Sequence, residues 1–213
     1  MRITAKLLES DAEITRSIMS GLRNHLNASI AKAVPKIASD IKVAVKEALI
    51  QEPEYTSLTS GTLKIEFGIP DASQVGEVVD ALVNTIQFKQ NKIIASSRSL
   101  SGGFTLNMMK SDDLSGVIYS SPAIVVTSKG ATLPWLEWLL LKGNAPIVKK
   151  YDVKYTSSGR SRSGLGVMIP SEGDWRVPPL FIGKEENNWT TRAIDRTESK
   201  IYAIIKKRIE ESL

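Results

Sequence analysis

DAEITRSIMSGLRNHLNASIAKAVPKIASDIKVAVKEALIQ, residues Asp11 to Gln51, is the stretch from which the rest of the chain is read. Ile14, Ile18, Leu22, Leu26, Ile30, Val34, Ile37, Ile41, Val45 and Leu49 recur every three or four positions, the spacing that lines one face of an α-helix. At about 1.5 Å per residue such a helix reaches roughly 60 Å, more than the diameter of a small domain. Part of its apolar stripe is therefore expected to pack against something beyond the body that the rest of the chain builds. Asp11 is read as the residue that caps the helix. Pro35 removes a backbone donor and disfavours the helical conformation at Val34, so a kink or break is expected there. Pro53 closes the helix near Gln51.

Working outward, EPEYTSLTSGTLKIEFGIP follows, with its clearest alternation from Leu63 to Ile69. Thr62 to Gly68 reads as a strand or extended piece, with a short helix from Tyr55 through Phe67 as the other option. Asp71 and Gln74 have the spacing of a capping box and open a helix whose apolar face, Val75, Val78, Val79, Leu82 and Ile86, runs to about Phe88. Ile93 to Ser96, Gly103 to Met109, Gly116 to Tyr119 and Ala123 to Ser128 are short β-prone runs separated by turn residues, which suggests an antiparallel meander. The Asp112-Asp113 pair is placed in one of those turns.

LPWLEWLLLKG, from Leu133 to Gly143, is apolar on nearly every side as a helix. It is either buried in its own domain or turns a tryptophan toward a neighbouring subunit. Ile147 to Tyr155 alternates as a strand whose expected partner is Leu165 to Ile169. The loop between them, TSSGRSRSG, carries Arg160 and Arg162 without one apolar residue, and two such arginines suit phosphate or carboxylate partners as well as a solvated tip. Pro178 and Pro179 forbid helix and suit extended backbone. A closing helix is expected from Asn188 or Thr190 to about Ser212, with Ile194, Ile201, Ile205 and Ile209 on one face. Lys206, Lys207 and Arg208 in its last turn complement the helix dipole.

The chain is 213 residues long with 42% apolar and 24% charged residues, the balance of a globular protein, and is expected to fold as one α+β domain: a helix over 1–52 followed by a body over 53–213. No apolar run is long enough to span a membrane, and no secretory signal is read at the N-terminus, so synthesis in the cytosol is expected. The absence of cysteine removes disulfides and thiolate metal sites. A net charge of +5 fits contact with a polyanion, or simply solubility and a complementary acidic partner. His25 is the single histidine, inside the first helix, with no catalytic partner at helical spacing. SGGF at Ser101 to Phe104 opens no helix, so neither phosphate-binding glycine motif is present. No catalytic, cofactor or metal site is read, and the chain is not expected to be an enzyme.

Four pieces in order, the long helix leading into EPEYTSLTSGTLKIEFGIP, then LPWLEWLLLKG, the basic hairpin, and WRVPPLFIGKEENNWTTRAID before the last helix, are similar to the neck and tail-completion proteins of tailed bacteriophages. The resemblance covers most of residues 20 to 213. It implies an antiparallel sheet flanked by helices, assembling as a ring, commonly of six copies, between head and tail. It implies as partners other copies of the chain, the connector or neck proteins, the tail-tube or tail-terminator protein, and packaged DNA in the channel; no cofactor and no membrane are implied. On this reading Arg160 and Arg162 belong to a channel or partner-contact loop, and Trp135, Trp138, Trp175 and Trp189 are candidate subunit-interface residues. A tail terminator is the near alternative, and a basic nucleic-acid-binding protein is the alternative of another class.

Overall fold

The computed structural model describes residues 9–109, 111–127, 130–157, 159, 161 and 163–213. The fold is α+β: a long N-terminal helix, small antiparallel sheets, intervening helices and a C-terminal helix. The chain gathers into two compact units. One holds residues 9–41, Gln87–Asn107 and Tyr202–Leu213, and the other holds Lys42–Ile86 and Met108–Ile201.

In the first unit, helix α1 (Asp11–Gln51) begins one residue earlier in its logic than the sequence suggests. Ser10, not Asp11, is the cap: its backbone N–H donates to the Glu13 carboxylate at 2.8 Å, and the Glu13 N–H points back to Ser10 Oγ at 3.4 Å. The helix runs unbroken through Pro35. Pro35 and Ala31 both lie on the exposed side, so the carbonyl that loses its donor there faces water. Strands β1 (Gln87–Ala95) and β2 (Leu100–Asn107) form an antiparallel hairpin whose register slips between Asn91 and Ile94. That slip leaves the Ile93 peptide without a strand partner, and α1 supplies one. Asn27 Oδ1 accepts the Ile93 N–H at 2.9 Å, and Asn27 Nδ2 reaches the Ile93 carbonyl at 3.5 Å. The end of helix α7 (Trp189–Glu210) enters the same unit, where Arg208 donates to Asp40 at 2.6 Å and to Glu211 at 2.7 Å. Arg208 thus serves a specific ion pair with α1, beyond the dipole role read from its position.

The second unit holds most of the core. The EPEYTSLTSGTLKIEF segment is two short helices, α2 (Pro53–Ser60) and α3 (Thr62–Phe67), which corrects the strand reading of Thr62 to Gly68. Leu63 and Phe67 are both buried and four residues apart, a helical spacing that the intervening Ile65 disguises as alternation. Gly68, at φ 67°, ends α3 in the left-handed conformation that glycine adopts without strain. Helix α4 (Ser73–Asn84) starts under Asp71, whose Oδ1 accepts the Ser73 N–H at 2.9 Å. The reciprocal capping bond is not made, since Gln74 Oε1 has no partner. The helix also ends before Ile86, whose neighbours already enter β1.

The expected meander resolves into separate two-stranded sheets. Gly116 to Tyr119 is not a strand but the end of helix α5 (Ser111–Ile118), where Leu114, Val117 and Ile118 are buried at helical spacing. The Asp112-Asp113 pair falls inside that helix and not in a turn. Strands β3 (Ile124–Val126) and β4 (Thr132–Pro134) pair next, followed by the short helix α6 (Leu136–Leu140). Strands β5 (Tyr151–Tyr155) and β6 (Gly166–Pro170) pair antiparallel, close to the expected partners. Pro178 is extended (φ −54°, ψ 141°) and Pro179–Phe181 makes a single 3₁₀ turn.

Two features lock α6 and the start of α7 into the core. Gly183 passes so close to α6 that a Cβ there would lie 1.6 Å from the Leu139 carbonyl oxygen. Asn188 caps α7 through Oδ1, which accepts the N–H groups of Thr190 at 2.9 Å and Thr191 at 3.0 Å. Its Nδ2 donates to the carbonyls of Leu140, Lys184 and Glu185.

Candidate interaction surfaces

The four tryptophans separate by burial. Trp135 and Trp189 are fully buried and Trp175 is 5% exposed, while Trp138 is half-buried. Phe67 sits between two of them, 6.2 Å from Trp135 and 5.9 Å, edge-on, from Trp175. Trp189 donates its indole N–H to the Leu49 carbonyl at 3.0 Å. Trp135, Trp175 and Trp189 build the core of the second unit, and of the four candidate interface tryptophans Trp138 keeps the most exposed edge. Arg160 and Arg162 lie outside the described residues.

The acidic residues at the end of α1 and the start of α2 are matched by a basic face of α7. Arg192, Arg196 and Lys200 recur every four residues and meet Glu54, Glu52 and Glu47 in turn. Glu54 is fully buried and Glu52 is 1% exposed; Arg192 is hydrogen-bonded to Glu54 and donates to Asn187 at 2.7 Å, while Arg196 lies 3.3 Å from Glu52. Burial pushes the Glu52 carboxyl above its ordinary range, Arg196 and Arg192 draw it down, and the neighbouring Glu54 charge adds to the rise. This cluster ties helices together within the second unit. Its signal in the sequence is the i, i+4, i+8 run of cations ahead of the last helix's apolar end.

The β5–β6 ribbon presents the opposite case, apolar side chains left in water. Tyr151, Tyr155, Leu165, Met168 and Ile169 are all exposed, by 38–50%. One end of the ribbon rests on α3, where a Cβ on Gly166 would come within 2.7 Å of Ile65. There the Tyr155 hydroxyl donates to Glu66 at 2.6 Å. Burial raises the Glu66 carboxyl, opposed by the Tyr155 hydroxyl, and Asp152 raises it further. The Tyr155 phenol is pushed well above its usual range by burial of its hydroxyl end and by the Glu66 charge. Lys149 and Lys150, just before β5, and Lys154 within it are exposed as well. The pairing of these strands is readable from sequence; their exposure is not, because alternation looks the same whichever face is covered.

A second uncovered surface lies in the first unit. No residue of α1 before Ser29 is buried, and Ile18 and Leu22 are 57% and 46% exposed. His25, on the same stretch, has Nε2 3.3 Å from the Leu213 carbonyl oxygen. Among the described residues no group of three or more histidines, aspartates or glutamates is placed to hold a metal ion, and no helix is long and apolar enough to cross a membrane. Comparison with protein-family models, with curated proteins and with solved structures finds no match to this chain.

Proposed function

We propose that this chain is a structural subunit of a tailed-phage virion that assembles into a ring and joins the head to the tail or completes the proximal end of the tail. The order of sequence motifs supplies the family resemblance, and the observation that carries the proposal is the exposed apolar ribbon of β5–β6. Tyr151, Tyr155 and Met168 on one face of the ribbon, and Ile169 with the adjoining Leu165 on the other, are large apolar or aromatic side chains that association would bury. A closed ring buries such a patch on every copy through a head-to-tail contact with a different face of the next. Connector and tail-tube or terminator proteins are the neighbours this role requires, and the activity is shape and assembly, without catalysis. The test is negative-stain imaging and solution mass of the purified protein, alone and with a recombinant tail-tube or connector protein. Rings that disappear in Ile169→Glu support the reading, and their absence in every mixture refutes it.

A second reading, a nucleic-acid-binding protein, is favoured by the exposed Lys149 and Lys150 just before β5 and Lys154 within it. It requires duplex or single-stranded DNA binding that weakens steeply with salt and is lost when the three lysines are replaced. In the ring reading the same cations face packaged DNA in the channel.

A further inference from the structure

The uncovered face of α1 has a symmetry of its own. Ile14, Ile18 and Leu22 lie four residues apart and span only about 80° of the helix circumference. Seven residues before Ile18 and seven after it, on the same face, stand Asp11 and His25, both exposed. The charged residues Glu13, Arg16 and Arg23 point to the other side of the helix. Thr15, Ser17 and Gly21, small and uncharged, border the stripe and allow a second helix to approach closely.

We infer that this face takes a second copy of itself, as an antiparallel helix pair with its two-fold axis at Ile18. Reversed about that residue, the stripe is self-complementary: Ile18 meets Ile18, Ile14 meets Leu22, and the Asp11 carboxylate of each chain meets the His25 imidazole of the other. A parallel pair would instead set Asp11 against Asp11 and align the helix dipoles, so both charge terms select the antiparallel arrangement. The partner side chains that cover Ile18 and Leu22 are apolar and equal in number to those they cover. This pairing does not rest on the head–tail reading, which uses the β5–β6 ribbon of the other unit. It accounts for the first helical turns of α1, where Ile14 is only half-buried, Ile18 and Leu22 are exposed, and no residue before Ser29 is buried.

Helix axes about 8–10 Å apart place the two Ile18 Cα atoms about 3.4–5.4 Å from each other, overlapping the range a disulfide spans. The chain has no cysteine, so Ile18→Cys introduces the only thiol. The experiment uses the full chain with single substitutions Ile18→Cys, Arg16→Cys and Asp11→Cys under mild oxidation, together with the solution mass of wild type and Ile18→Asp. Ile18→Cys is expected to cross-link at least tenfold faster than Arg16→Cys or Asp11→Cys, and a two-chain species in wild type is expected to vanish in Ile18→Asp. Circular dichroism and thermal melting of Ile18→Asp check that the fold is kept, as its exposed position requires. Equal cross-linking of Ile18→Cys and Arg16→Cys, fast cross-linking of Asp11→Cys alone, or a wild-type protein of single-chain mass throughout a concentration series would each overturn the pairing. Rings that form normally from Ile18→Asp leave the head–tail reading standing on its own, and rings lost only in Ile169→Glu leave the pairing standing.

Discussion

Glu52 loses nearly all its water on folding and gains in return one arginine at 3.3 Å and a second carboxylate beside it. Its carboxyl therefore titrates above the ordinary value near 4.5. The native state then binds more protons than the unfolded chain across the interval above 4.5. The contribution of Glu52 is fully present below that pH and is lost as pH rises through the raised folded value. Denaturant melts of wild type and Glu52→Gln from about pH 4.5 to 7.5 are predicted to show wild type losing stability relative to the variant as pH rises. A difference that stays constant would contradict this. Asn188 makes a second residue-level case, because its two ends do different work. Asn188→Asp keeps the acceptor for the Thr190 and Thr191 N–H groups but sets a carboxylate oxygen against three backbone carbonyls. It is expected to cost about 2–3 kcal/mol in urea unfolding, as much as Asn188→Ala, whereas a simple N-cap tolerates the exchange.

Elements stand or fall here on close approaches that no periodicity announces. The Gly183 backbone lies against α6, and Gly183→Ala must move Leu139 or the Pro179–Phe181 turn to admit one methyl group. A loss of about 2 kcal/mol or more, read as a lowered melting temperature, is the expected result. The β1–β2 hairpin depends similarly on one amide. Asn27→Leu removes both bonds to the Ile93 peptide and is predicted to speed hydrogen exchange at that amide at least tenfold while leaving the second unit unchanged. Long elements were legible because many turns vote together: α1 and α7 follow from their apolar spacing, and the β5–β6 pair follows from two alternating runs around a polar loop. Helices of six or eight residues offer too few repeats. Leu63, Ile65 and Phe67 satisfy a period of two as well as one of four, and Gly116 inside α5 reads as a breaker until Leu114, Val117 and Ile118 are seen to share a buried face. The candidate site was legible only as a loop and a set of tryptophans. A tryptophan-rich segment does not reveal which way it faces, and three of the four turn inward, while the ribbon that does face water looks in sequence like any half-buried strand pair.

For the whole molecule the imbalance of burial is the guide. The second unit has a full core of tryptophan, phenylalanine and aliphatic side chains, clasped by the Glu47, Glu52 and Glu54 pairs with α7. Yet apolar side chains remain in water on the β5–β6 ribbon and on the first turns of α1. The central claim, a subunit that forms rings with its own copies at the phage head–tail junction, is tested most directly by measuring the solution mass and shape of the purified chain over a concentration series, with and without a tail-tube protein. The account predicts a closed ring of more than two chains, present alone or on adding that protein and abolished by Ile169→Glu. A chain that never exceeds a two-chain species under any of these conditions would contradict it.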